Sequence, residues 1–238
     1  MNKEIILHVE NLSAYYSNSS LFSKKNNERK MIVNDVSFDI YEGEMVGLVG
    51  GSGCGKSTLG KAILSMVKDT EGVIEHHSQN PQMIFQDPKG SLNPKMTIER
   101  ILEEPLRIKG GFSKEERRAK ALDMLESIGL GPEYANRYPA QLSGGQRQRV
   151  CIGLSLMLNP KFIIADEPVS ALDVTIQAQI MRLFKEVNKK YGVAILFISH
   201  DLKVVYQLCD RIMVMKDGKI ETVGSDEEIK NIFQKGLS

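Results

Sequence analysis

No run of apolar residues in this sequence approaches the roughly 18 needed to cross a bilayer as a helix. The apolar stretches at 162–165 and 193–198 are far shorter. The first ten residues carry Glu4, His8 and Glu10 and lack the core of a signal peptide, so the chain is expected in the cytoplasm unless a partner holds it at a membrane. Cysteine is scarce, with 3 among 238 residues. An odd count without paired spacing argues against a disulfide framework and a zinc site, and fits a reducing compartment. Charge of one sign is lacking as well. The 31 basic and 30 acidic side chains leave a net charge of +1, without the basic excess of a nucleic-acid binder. There is no internal repeat and no low-complexity tract. What is present is 42% hydrophobic and 26% charged, enough for a real core in one large α/β domain or two small ones.

The pattern along the chain alternates strand and helix. A strand is expected over 5–9, then a polar Ser/Asn/Lys-rich loop over 17–30. Residues 32–40 alternate, with Val36, Phe38 and Ile40 on one face. After the turn Glu42-Gly43-Glu44 come an apolar strand over 45–49, a glycine-rich loop, and a helix over 56–66. In the middle, Ser113 and Glu116 form a capping box. The helix behind it carries Ala121, Leu122, Leu125 and Ile128 on one stripe and stops at Gly129. A second helix is expected over 146–158, so a helical subdomain of roughly 97–160 is inserted in the core. Then follow a buried strand over 162–165, a helix over 174–190 and a buried strand over 193–198. Strands over 212–215 and 220–223 flank Asp217-Gly218, a hairpin signal. The alternation implies an α/β fold with a mostly parallel sheet.

Gly50-Gly51-Ser52-Gly53-Cys54-Gly55-Lys56-Ser57-Thr58 matches the phosphate-loop pattern G-x-x-x-x-G-K-[ST]. Glycines let successive backbone N–H groups point inward around a polyphosphate. The helix that follows adds the positive end of its dipole. Lys56 reaches the β- and γ-phosphates, and Ser57 offers a hydroxyl to Mg²⁺. The bland alternative, a glycine-rich turn, does not require a strand before and a helix after. Leu142-Ser143-Gly144-Gly145-Gln146 is read as a second helix N-terminus able to hold phosphate, the bland alternative being a flexible turn that caps a helix.

A phosphate loop followed by LSGGQ resembles the ATPase domains of the ABC family, and the resemblance runs over 5–233. It implies a P-loop core with an antiparallel β-subdomain and the inserted helices as one domain over 1–238, with ATP and Mg²⁺ as cofactors. Asp166 and Glu167, ending the apolar run 162–165, resemble the family's magnesium-ordering carboxylate and general base. Gln86 resembles the glutamine that contacts Mg²⁺ or water and couples to membrane subunits. Ser170-Ala171-Leu172-Asp173 resembles the loop that crosses the dimer interface. His200 resembles the γ-phosphate switch, and Tyr16 the ring that stacks on adenine, with Tyr15 adjacent as the alternative register. His76, His77, Cys151, Cys209, Met181, Met213 and Met215 are read as structural.

Phe85-Gln86-Asp87-Pro88 with Ser91-Leu92-Asn93-Pro94, and 170–179, resemble the oligopeptide, dipeptide and nickel importer class. That class implies a second ABC ATPase subunit (a heterodimer, or a homodimer), two transmembrane permease subunits, and indirectly an extracytoplasmic substrate-binding protein, at the cytoplasmic face of the membrane. Cargo would be peptides or nickel and metal chelates. The alternative is a non-transport ABC ATPase acting on the ribosome or DNA. Three features depart from the class. Gly51 replaces an acidic residue, 72–85 is short, and a cysteine-bearing extension after Phe233 is absent. Leu92, Met96 and Ile98 are candidates for a groove that takes a partner helix, with core packing the alternative for at least one.

Overall fold

The computed structural model describes residues 3–17, 29–225 and 227–229. Most of the loop expected over 17–30, and Phe233, lie outside the described residues. In chain order the elements are β1 (Ile5–Ser17), β2 (Arg29–Tyr41), β3 (Met45–Val49), α1 (Lys56–Ile63), β4 (Asp69–His76), β5 (Gln82–Ile84), α2 (Pro88–Ser91), α3 (Ile98–Lys109), α4 (Lys114–Ser127), α5 (Gly144–Leu156), β6 (Phe162–Asp166), α6 (Val174–Tyr191), β7 (Ala194–Ser199), α7 (Leu202–Leu208), β8 (Arg211–Lys216) and β9 (Lys219–Gly224). They fall into two compact units, Met1–Gln79 with Ala194–Ser238, and Asn80–Val193.

The first unit holds two sheets. β1 lies between β2 and β4, antiparallel to both. Val36, Phe38 and Ile40 of β2 are buried while Asp35 and Ser37 face out, as the alternation requires. In the other sheet β3 pairs in parallel with β7 and β8, and β9 closes antiparallel on β8. Every residue of β3 and β7 is buried, which is why they read as unbroken apolar runs rather than alternating ones. The β8–β9 turn places Asp217 and Gly218 at φ 47° and 81°, the positive values a two-residue hairpin turn demands. β1 is longer than the expected 5–9. Its pairing with β2 shifts register at four places; at the last of them Ala14 faces Val33 and Tyr15 faces Met31, leaving Ile32 as a bulge.

In the second unit β5 runs parallel to β6, whose five residues are all buried. α3, α4 and α5 pack on one another, and α6 on α5. The capping box of α4 is made as its sequence specifies: Glu116 N–H donates to Ser113 Oγ at 3.1 Å, and Ser113 N–H to Glu116 Oε2 at 2.6 Å. Ala121, Leu125 and Ile128 are buried. Among the described residues no helix is long and apolar enough to cross a membrane.

Candidate functional site

The first unit carries the phosphate loop between β3 and α1. Gly55, the residue before α1, sits at φ 111°, and a Cβ there would lie 2.7 Å from the carbonyl oxygen of bulged Ile32. Only glycine satisfies both conditions. Gly50 is equally confined, since its Cβ would meet Met215 O at 2.1 Å. Gly51 has nothing within 4 Å, so a side chain at this position meets no steric obstacle. Ser52 and Gly53 are exposed; Ser57 and Thr58, in the first turn of α1, are half-buried. That turn holds no acidic residue, so no side-chain carboxylate there competes with an anion for the positive end of the helix dipole. Lys56 is 6% exposed. Its Nζ donates to Gly50 O at 2.8 Å and Gly51 O at 3.0 Å, with Cys54 Sγ 3.9 Å away.

Two further candidates belong to this unit. His200 follows β7 and is exposed; it shares with Val49, Gly50 and Gly51 the wall of a cavity of about 470 Å³. Tyr15 and Tyr16 part ways. The Tyr15 ring lies 4.2 Å under the Arg29 guanidinium, and its hydroxyl donates to Glu71 at 3.0 Å. Tyr16 points to the opposite face, the one on which Leu12 and Ala14 are buried, and is 47% exposed. α1 packs on β1 and β2. Tyr16 pairs with Lys30, two residues along β2 from the Ile32 carbonyl that touches Gly55. A strand spacing and two residue rises put the Tyr16 and Ile32 backbones roughly 8 Å apart.

The second unit carries the other candidates. Asp166 ends β6 and is 5% exposed. Glu167 follows at φ 47°, a left-handed conformation that costs a non-glycine residue of order 1–3 kcal/mol and clusters at functional positions. The Ser170 N–H and hydroxyl both donate to Glu167 O, at 3.3 and 3.1 Å. Gln86 is exposed, two residues past β5. Ser143 caps α5, accepting from Gln146 N–H at 3.3 Å, while Gln146 Oε1 accepts from Ser143 N–H at 2.9 Å and Gln146 Nε2 donates to Tyr134 at 3.0 Å. Gly144 opens the helix. A Cβ on Gly145 would lie 2.4 Å from Ile176 Cγ2, so this glycine lets α5 and α6 approach. Asp173 caps α6, accepting from Ile176 N–H at 3.0 Å.

Ile176, Tyr134 and Arg29 escaped the sequence reading, since nothing near them in the chain marks their partners. Leu92 is 2% and Ile98 0% exposed, so the core-packing alternative holds for both, and the expectation that Leu92 offers a face to a partner is corrected. Cys151 is buried, and that burial, with Asp87 nearby, pushes its thiol up to about 12.

A family model described as "ABC transporter" matches residues 33–170. The chain belongs to the ABC transporter family. Among curated relatives, the oligopeptide transport ATP-binding protein OppF of Bacillus subtilis is 48% identical over 84% of this chain and 71% of its own length. OppF of Haemophilus influenzae is 45% identical over 97% and 75%. Among solved structures, the dimeric ATP-binding cassette MJ0796 bound to ADP and Pi is 33% identical at a TM-score of 0.78, over 92% of this chain and 98% of that one. CbiO1 of Clostridium perfringens, part of the ABC transporter complex cbiONQ, is 27% identical at 0.83, over 98% and 94%. The fold is therefore that of an ABC cassette: α/β, with a mixed, mostly parallel sheet, an antiparallel β-subdomain and inserted helices. This fold binds ATP.

Proposed function

We propose that this ABC subunit hydrolyses ATP to power import of peptides, as one of two ATPase subunits under two transmembrane permease subunits at the cytoplasmic face of the membrane. The observation that carries the reading is Lys56, a buried ammonium at the first position of α1 whose bonds go to the loop carbonyls of Gly50 and Gly51. A polyphosphate entering the loop offers that ammonium stronger, charged acceptors. The nest of 50–58 then donates backbone N–H groups to the phosphates, and Tyr16 stacks on the base. Ser57, Gln86 and Asp166 present hydroxyl, amide and carboxylate oxygens, the hard donors that suit Mg²⁺; bound there, the ion would neutralise charge on the β- and γ-phosphates. Glu167 takes the proton of the attacking water, and His200 contacts the γ-phosphate.

Ser143, Gly144, Gly145 and Gln146, with Asp173, form the face offered to the nucleotide of the second ATPase subunit, and 97–160 is the subdomain that presents it. ATP gripped from both sides closes the pair. Moving it from 99% open to 99% closed needs about 5.5 kcal/mol of differential binding, a plausible yield from two triphosphates. Support for peptide cargo comes from the relatives, which are oligopeptide transport ATP-binding proteins.

The test is reconstitution of the complete transporter in vesicles. Peptide should stimulate ATP hydrolysis, and Glu167→Gln should keep ATP binding while slowing hydrolysis by about 10²–10⁴. Parental turnover in Glu167→Gln would remove Glu167 as the base. Stimulation by nickel chelates rather than peptides, or by ribosomes or DNA without permeases, would overturn the assigned cargo or the transport role.

A further inference from the structure

Opposite the face that carries Tyr16, four side chains from three strands close a ring at the end of the β2–β1–β4 sheet. Arg29 opens β2 and grips Asp69 of β4 with two bonds, Nε to Oδ2 at 2.7 Å and Nη2 to Oδ1. Its Nη1 donates to Glu71 at 3.0 Å. Glu71 accepts from the Tyr15 hydroxyl, and the Tyr15 ring lies beneath the guanidinium that began the circuit. Asp69 faces Tyr15 across the β1–β4 ladder, and Arg29 faces Ser17 across the β1–β2 ladder. The four side chains therefore share one side of the sheet. Arg29 holds the Asp69 carboxyl below its ordinary value.

Single exposed ion pairs hold little. This one is bidentate, stacked and closed, and its fork geometry is what Arg supplies and Lys does not. The ring spans the three strands at the level of the last β1 residues, where Tyr16 emerges half-exposed on the other face. We infer that Arg29 is a positioning residue for nucleotide binding: the Arg29–Asp69–Glu71–Tyr15 ring fixes the β1 backbone so that the Tyr16 ring stands ready as a rigid platform for the nucleobase. This rests on the reading of Tyr16 as that platform. A platform ordered in advance loses less entropy when the base stacks on it.

The test measures ATP and inorganic tripolyphosphate binding to the full chain by calorimetry. Tripolyphosphate fills the phosphate loop and has no base to stack. Tyr16→Ala should weaken ATP by roughly tenfold, a stacking loss, and leave tripolyphosphate unchanged. Arg29→Ala should weaken ATP by roughly three- to tenfold, within the same stacking contribution, again sparing tripolyphosphate. The double variant should bind ATP no more weakly than Tyr16→Ala alone, because Arg29 acts through Tyr16. Should Arg29→Ala fail to fold, Arg29→Lys and Asp69→Asn, which open the ring more gently, must show the same ATP-selective loss. Unchanged ATP affinity in Tyr16→Ala would sink the platform reading itself. A loss in Tyr16→Ala without one in the ring variants would overturn the positioning role alone. Equal loss of ATP and tripolyphosphate in the ring variants would also overturn it, by showing that Arg29 acts as a charge or a fold element.

Discussion

Gly145→Ala separates what the signature loop does for the fold from what it does for nucleotide. The added Cβ would stand 2.4 Å from Ile176 Cγ2, a methyl on a β-branched carbon with little freedom to swing away. Overpacking of this kind costs roughly 1–3 kcal/mol. Alanine returns up to about 1 kcal/mol of helix propensity, less in a first turn. The net is a destabilisation of roughly 1–2 kcal/mol, worth about 2–4 °C in melting temperature per kcal/mol for a chain of this size. The neighbouring Gly144 is the control. Its Cβ would lie 3.6 Å from Leu172 Cδ2, an ordinary contact, so Gly144→Ala should be neutral or slightly stabilising. Ile176→Ala removes the obstructing methyl, so the pair Gly145→Ala with Ile176→Ala should be more stable than the sum of the single changes by about 1 kcal/mol or more. Thermal melts of the four variants decide it. Equal melting temperatures for the two glycine variants, or strict additivity with Ile176→Ala, would refute the steric account.

Leu92→Ala should cost roughly 2–5 kcal/mol of stability, as for other core truncations, because the side chain is 2% exposed; a melting temperature within error of the parent would return Leu92 to the surface. Cys54, half-buried beside Lys56, should be the thiol that iodoacetamide labels, with MgATP slowing the reaction and labelling blocking ATP binding, while Cys151, pushed up to about 12, stays inert. Peptide mass spectrometry showing equal Cys54 labelling with and without MgATP would count against it. His8 Nδ1–H donates to Asp39 Oδ1 at 2.6 Å, and that bond raises its pKa above 6.5. Its contribution to stability is therefore complete below pH 6.5 and fades as pH rises through the raised value. An NMR titration should place the His8 midpoint above 6.5 and Asp39→Asn should lower it; a midpoint at or below 6.5 in the parent would contradict the pairing.

The phosphate loop and LSGGQ were legible because there the residue type states the backbone requirement. Gly55 stands where φ is 111°, Ser143 where a helix needs a cap, and Asp217-Gly218 where a turn needs two positive φ values. The buried strands β3, β6 and β7 were legible for a related reason, since burial on both faces forces unbroken apolar runs. The capping box at Ser113 and Glu116 completes within four residues, so it too could be read locally. Each of these signals is short in sequence and needs no knowledge of the rest of the fold.

What escaped is non-local. Leu92 stands between Ser91 and Asn93-Pro94, a polar setting that reads as surface, yet tertiary packing buries it. α3 is hard to read from sequence, since Pro105 lies inside it and an interior proline ordinarily ends a helix. Ile98, Ile101, Leu102 and Leu106, all buried on one stripe, supply the packing that outweighs it. The Arg29 ring joins residues 40, 42 and 56 positions apart in sequence, from a segment whose polar composition predicts a loop. Gly145 carries both kinds of information. Its place in LSGGQ is visible in the sequence, but its reason for being glycine is partly Ile176, thirty-one residues away. A motif glycine can therefore owe its identity to helix packing as much as to nucleotide, and loss of activity on replacing Gly145 is by itself no proof that it touches a phosphate. The four-variant comparison of Gly144, Gly145 and Ile176 assigns that share to one cause or the other.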